Sequence, residues 1–203
     1  MRKEQKQGFD LKTVALIGLM AALVFVGSKI EIRIPAVLGV TRIHLGNSMC
    51  LLSGFLLGGL CGGLSAGLGS FLFDVVFWPA SPVEWLVTFV TKFAMGFLAG
   101  VLLHHGFLKK MAPAVRLSVC GILGALFYVV LYLLKSFVTY YYILGNPMPA
   151  VQLMLLEKGA ASLFNAVIAV ILSVPICLAL SPQLRKAGIL TDGALFHKEA
   201  PKQ

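Results

Sequence analysis

Five long apolar runs dominate this chain, at residues 12–28, 45–77, 83–103, 114–144 and 152–180. A helix needs about 20 predominantly apolar residues to cross a bilayer, and in hydrocarbon only helices and closed barrels satisfy every backbone N–H and C=O. Runs of this size specify membrane-spanning helices. The second run, 33 residues long, is too long for one span and is cut by Gly58-Gly59 and Gly62-Gly63. It reads as two shorter helices joined by a tight glycine turn. The expected fold is therefore an all-α integral membrane protein of six transmembrane helices, with residues 1–180 as one domain and 181–203 as a polar C-terminal tail.

Composition excludes the main alternatives. Of 203 residues, 59% are apolar and 12% charged, and mean hydropathy is +0.92. Soluble domains carry about half apolar and about a quarter charged residues, and a soluble core of this size could not hide so much apolar surface. The formal charge of +9 comes from 17 Lys and Arg against 8 Asp and Glu. These cations fall at the ends of the apolar runs and not in one tract, which argues for a bilayer and against nucleic acid as partner.

With both termini on one side, that side collects Arg2, Lys3, Lys6, Lys12, Lys109, Lys110, Arg116, Arg185, Lys186, Lys198 and Lys202. The other side receives Lys29, Arg33, Arg42, Lys135 and Lys158, with Lys92 left inside the membrane. Eleven against five places both termini in the cytoplasm by the positive-inside rule. The first run flows into Lys29-Ile-Glu-Ile-Arg33 without a small-residue cleavage motif, so it reads as a retained helix. Cys50, Cys61, Cys120 and Cys177 show no metal-ligand spacing and read as packing residues. With no G-x-x-x-x-G-K-[ST] loop, the chain hydrolyses no ATP by itself, and no metal or cofactor is expected.

Residues 29–44 alternate apolar and polar at first and then carry Pro35 and Gly39. They are expected to form an ordered extracellular loop with a short extended segment, of the kind that serves as a lid. Ionisable groups within the runs are costly, about 2.5–3.5 kcal/mol each at a helix centre, and so face partners or wet cavities. Asp74 falls near the outer end of the third helix. Glu84, Thr88 and Lys92 follow i, i+4, i+8 down one side of the fourth. On the fifth, Tyr128, Tyr132, Lys135, Thr139 and Tyr142 form one seam; on the sixth, Glu157, Ala161 and Asn165 form another.

Together with Trp78, Trp85 and the His44-Leu-Gly-Asn47 segment, these stripes describe an outward-opening cavity suited to a small, planar, hydrogen-bonding solute. Catalysis is less well supported. His104 and His105 lie on the opposite side, and no nucleophile–base pair has a recognisable spacing. A membrane-embedded enzyme acting on a lipid or prenyl group, built on those histidines and Lys109, is the alternative. Ala15, Gly18 and Ala22 give the first helix a smooth face of small residues suited to helix docking.

Arg42-Ile-His-Leu-Gly-Asn47, Gly67-Leu-Gly-Ser-Phe-Leu-Phe-Asp74 and Thr88-Phe-Val-Thr-Lys92-Phe-Ala-Met-Gly96 resemble the substrate-binding S components of energy-coupling factor (ECF) transporters. The resemblance runs over roughly residues 10–180 and is nearest the riboflavin-type branch. It implies a six-helix bundle in a bacterial plasma membrane that binds a vitamin or related micronutrient from outside. It also implies that the bundle topples on association with a transmembrane T component and two ATPases. Docking in the family uses a small-residue motif on the first helix, to which Ala15, Gly18 and Ala22 correspond, although Leu19 replaces the second alanine of the strict Ala-x-x-x-Ala form. The favoured substrate is a neutral or weakly cationic nitrogen heterocycle: a thiamine-precursor pyrimidine, a pyridoxine-type vitamer or a queuosine-precursor deazaguanine.

Overall fold

A computed structural model describes residues 11–36, 39–78, 81–105, 108 and 110–189. Six α-helices account for most of it: α1 Leu11–Lys29, α2 Gly46–Leu57, α3 Gly59–Phe77, α4 Pro82–His104, α5 Pro113–Phe137 and α6 Met148–Lys186. Five are long and apolar enough to cross a membrane. The exception is α2, whose 12 residues span only about 18 Å. It packs against every other helix of the bundle, and ten of its residues are buried. The chain winds up and down, and the two ends of its described part meet where the Lys12 ammonium donates to the Gly188 carbonyl.

The long second run breaks at a single residue. Gly58 has φ +81°, a backbone region open to glycine but strained for residues with a Cβ. The later glycines take a different part from the expected turn: Gly62 and Gly63 lie inside α3, at contacts with neighbouring helices. A Cβ on Gly62 would fall 2.5 Å from Gly54 Cα, so α2 and α3 touch backbone to backbone. Small residues permit this approach where lipid supplies no hydrophobic drive.

Two further elements depart from an all-helical reading. Residues Glu31–Ala36 (β1) and Gly39–His44 (β2) pair as an antiparallel hairpin, sealed at its base by Leu45 N–H to Ile30 O at 3.2 Å. Its register sets Arg33 opposite Arg42, and such like-charge pairs are unfavourable. Glu31 relieves the repulsion by reaching Arg33 at 2.7 Å and Arg42 at 3.3 Å. Beyond Phe137, α5 continues as a π-helical turn, Val138–Ile143. At the other end, α6 runs through Pro175 and Pro182 to Lys186, so helix occupies the first six residues of the expected tail. Residues 190–203 lie outside the described residues.

Candidate functional site

The shortness of α2 creates the site. Lys92 of α4 meets Asn47 in the first turn of α2, yet α4 begins at Pro82, ten residues and about 15 Å farther out. The longer helices thus rise past the tip of α2 and enclose a cavity of about 280 Å³, with the hairpin contributing Arg42 and His44 to its wall. It lies at the hairpin end of the bundle, away from the Lys12–Gly188 contact.

Each wall is held by local chemistry. Ser81 caps α4 by accepting from Glu84 N–H at 3.4 Å, with Pro82 in the first turn. This fixes Glu84 at the rim, 3.7 Å from Lys135 of α5. At the floor, the Lys92 ammonium donates to Asn47 Oδ1 and stands 3.9 Å from the centre of the Tyr128 ring. Arg42 reaches across from the hairpin to Asp74 at 3.9 Å and lies over Trp78 at 4.3 Å. Tyr128 and Tyr132 stack with centres 5.9 Å apart, offering an aromatic face beside these charges.

His44 is neutral. Burial, reinforced by the charges of Lys92 and Arg42, pushes its imidazole well below the usual range. Its Nδ1 lies 3.2 Å from Gly46 N–H and accepts from it, which leaves Nε2 as the N–H donor.

Twelve of the thirteen residues expected to face a ligand line this cavity: His44, Asn47, Asp74, Trp78, Glu84, Thr88, Lys92, Tyr128, Tyr132, Lys135, Glu157 and Asn165. Trp85 does not; its indole N–H donates to the Trp78 carbonyl at 3.2 Å and steadies that neighbour. Asn165 also makes contacts beyond the cavity. Its Nδ2 donates to Arg42 O at 2.8 Å and its Oδ1 accepts from His44 N–H at 3.0 Å, so both ends of the amide hold β2 against α6.

The expected α5 seam breaks at its outer end. Tyr140 faces the cavity, whereas Tyr142 is 71% exposed. The π turn, marked by Leu144 N–H bonding Thr139 O at 2.9 Å, carries more residues per turn than an α-helix and rotates the stripe.

Arg42, Tyr140 and Lys158 are lining residues that helical spacing does not single out. Arg42 had a signal in its motif, and Lys158 in being a cation inside the apolar run at 152–180. Away from the cavity, the His104 ring lies 3.3 Å from the Phe55 carbonyl, at the C-terminal end of α2. That contact caps a helix end.

A polar, aromatic-walled cavity inside an apolar helical bundle is the architecture of a membrane protein with a site for a small molecule. The chain belongs to the ECF-type riboflavin transporter S component family, whose model matches residues 8–182. It is accordingly a multi-pass membrane protein and the substrate-binding subunit of a transporter, not an enzyme on lipid or prenyl groups. Members of this family work with a T component and ATPases and bind a small-molecule vitamin. No curated protein matches the chain.

Proposed function

We propose that this subunit captures a compact, planar nitrogen-heterocycle micronutrient at the outer face of a bacterial plasma membrane and hands it to an ATP-driven ECF module. The observation that carries this reading is the cavity: aromatic faces from Trp78, Tyr128 and Tyr132, hydrogen-bonding groups of both signs, and a volume of about 280 Å³. Ligand pockets usually run about 300–1,000 Å³, so a small ring system fits better than a large one. The candidates are a thiamine-precursor pyrimidine, a pyridoxine-type vitamer and a queuosine-precursor deazaguanine. Riboflavin is a second reading, favoured by the description of the family.

Native mass spectrometry of gently solubilised protein tests this directly. The expected result is an adduct of a few hundred daltons, retained from the cell or regained from a vitamin and nucleobase pool. A chain that stays empty through that incubation would sink the reading.

The even helix count and the excess of cations toward the two ends of the sequence support cytoplasmic termini and an outward-facing cavity. Docking on the T component falls to Ala15, Gly18 and Ala22 of α1, all exposed. A Cβ at Gly18 would meet nothing within 4 Å among the described residues, which supports this face as a docking surface. Delivery then proceeds by toppling of the bundle on the T component and its two ATPases.

Gly18→Leu is expected to leave melting temperature and ligand affinity unchanged, while cutting co-purification with the T component and ATPases about tenfold or more. Undiminished assembly would move the docking surface elsewhere.

A further inference from the structure

We propose that the solute presents a ring carbonyl or oxyanion edge, and not an amino group, to Lys92 at the cavity floor. This rests on the reading of the cavity as the heterocycle site and goes further by fixing the polarity of the bound edge.

Two of the cavity's carboxylates already face cations. Glu84 lies 3.7 Å from Lys135, and Asp74 lies 3.9 Å from Arg42. Lys92 is in a different position. It is 5% exposed, and its contacts are an amide oxygen and the face of Tyr128. Among the described residues no carboxylate, Glu157 included, comes within 4.0 Å of its ammonium.

Lys158 repeats the pattern at the other end of the tyrosine stack. Its ammonium is 3.5 Å from the Tyr132 hydroxyl and 5.7 and 5.4 Å from the Tyr132 and Tyr140 ring centres. Among the described residues it too has no carboxylate within 4.0 Å.

An amide oxygen and a ring face ease the burial of an ammonium but put no carboxylate in contact with it; Asp74 acts on it only across the cavity, and incompletely compensated buried charge is expensive. The ammonium carries three donors, so it can still give to an incoming oxygen. The first turn of α2, with Gly46 and Asn47, lies at the same floor and adds the positive end of a helix dipole. The neutral His44 contributes a further N–H. An acceptor edge at the floor therefore meets waiting donors, whereas an amine placed at Asp74 or Glu84 would have to compete with Arg42 or Lys135.

The test is a binding panel on the full-length protein in nanodiscs, comparing wild type with Lys92→Met and Lys92→Arg. The probes are riboflavin, 7-cyano-7-deazaguanine, pyridoxine and 4-amino-5-hydroxymethyl-2-methylpyrimidine. The first three carry a ring carbonyl or an ionisable ring hydroxyl; the fourth carries neither. The tightest binder is expected among the first three, with affinity about 30-fold or more weaker in Lys92→Met and largely kept in Lys92→Arg. Monodispersity and an unchanged melting temperature of the empty Lys92→Met protein exclude simple misfolding.

Tightest binding by the aminopyrimidine, or less than a threefold loss in a folded Lys92→Met, overturns the proposal while leaving the heterocycle site standing. Failure of all four probes on wild type overturns that site reading and this proposal together.

Discussion

Gly62→Val is expected to cost about 3 kcal/mol or more of stability, read as a large drop in melting temperature of the detergent-solubilised protein. The reason is that nothing near Gly62 can yield. Its Cβ would fall 2.5 Å from Gly54 Cα and 2.6 Å from Ser53 O, both backbone atoms. The same junction recurs on either side: a Cβ on Gly54 would lie 2.4 Å from Gly96 O, and one on Gly100 would lie 2.5 Å from the Gly58 carbonyl carbon.

Three helices thus meet main chain to main chain, and the Ser53 hydroxyl, 2.9 Å from Gly62 O, bonds across the contact. Relief would require prising α3 from α2, which would disturb the whole buried centre of the bundle. Gly18→Val is the control, since that position faces open space and should change stability by less than about 0.5 kcal/mol. Equal melting of the two variants would show that the close approach contributes little.

Asn165→Leu is expected to free the hairpin. The substitution keeps most of the volume but deletes the bonds to Arg42 O and His44 N. Each is worth about 1 kcal/mol, so the pair corresponds to roughly a 30-fold change. Amide hydrogen exchange in the strands should accelerate on that scale, and dissociation of bound solute should quicken with it, because Arg42 and His44 travel with β2. The helices should keep their protection. A loss of affinity with unchanged hairpin exchange would instead mean that Asn165 contacts the solute and does not act as a tether.

Straight helices made much of this legible from sequence. The apolar runs match α1 and α4 to within a residue at each end, because bilayer thickness sets both. Glu84, Thr88 and Lys92 reach one cavity because α4 is regular there. Legibility stopped where geometry departed from a fixed period. The π turn carried Tyr140 inward and left Tyr142 outside. The reach of Arg42 to Asp74 and Trp78 depends on hairpin pairing, which alternation alone does not specify. Asn165 is a polar residue on the correct face, but only the position of β2 distinguishes a tether from a ligand contact. The glycine cluster announced a break without saying that one residue makes the turn and the others serve packing.

The length of α6 has a mechanical consequence. At 39 residues it extends about 58 Å, more than the 40–45 Å of a bilayer with its headgroups. The part that walls the cavity, Met154 to Asn165, sits about 30–50 Å along the axis from Lys186. A swing of ten degrees about that basic end would carry the wall sideways by about 5–8 Å. Were its basic end held while the proposed toppling occurs, the helix would act as a long lever, turning a modest rotation at one membrane surface into a displacement of solute dimensions toward the other.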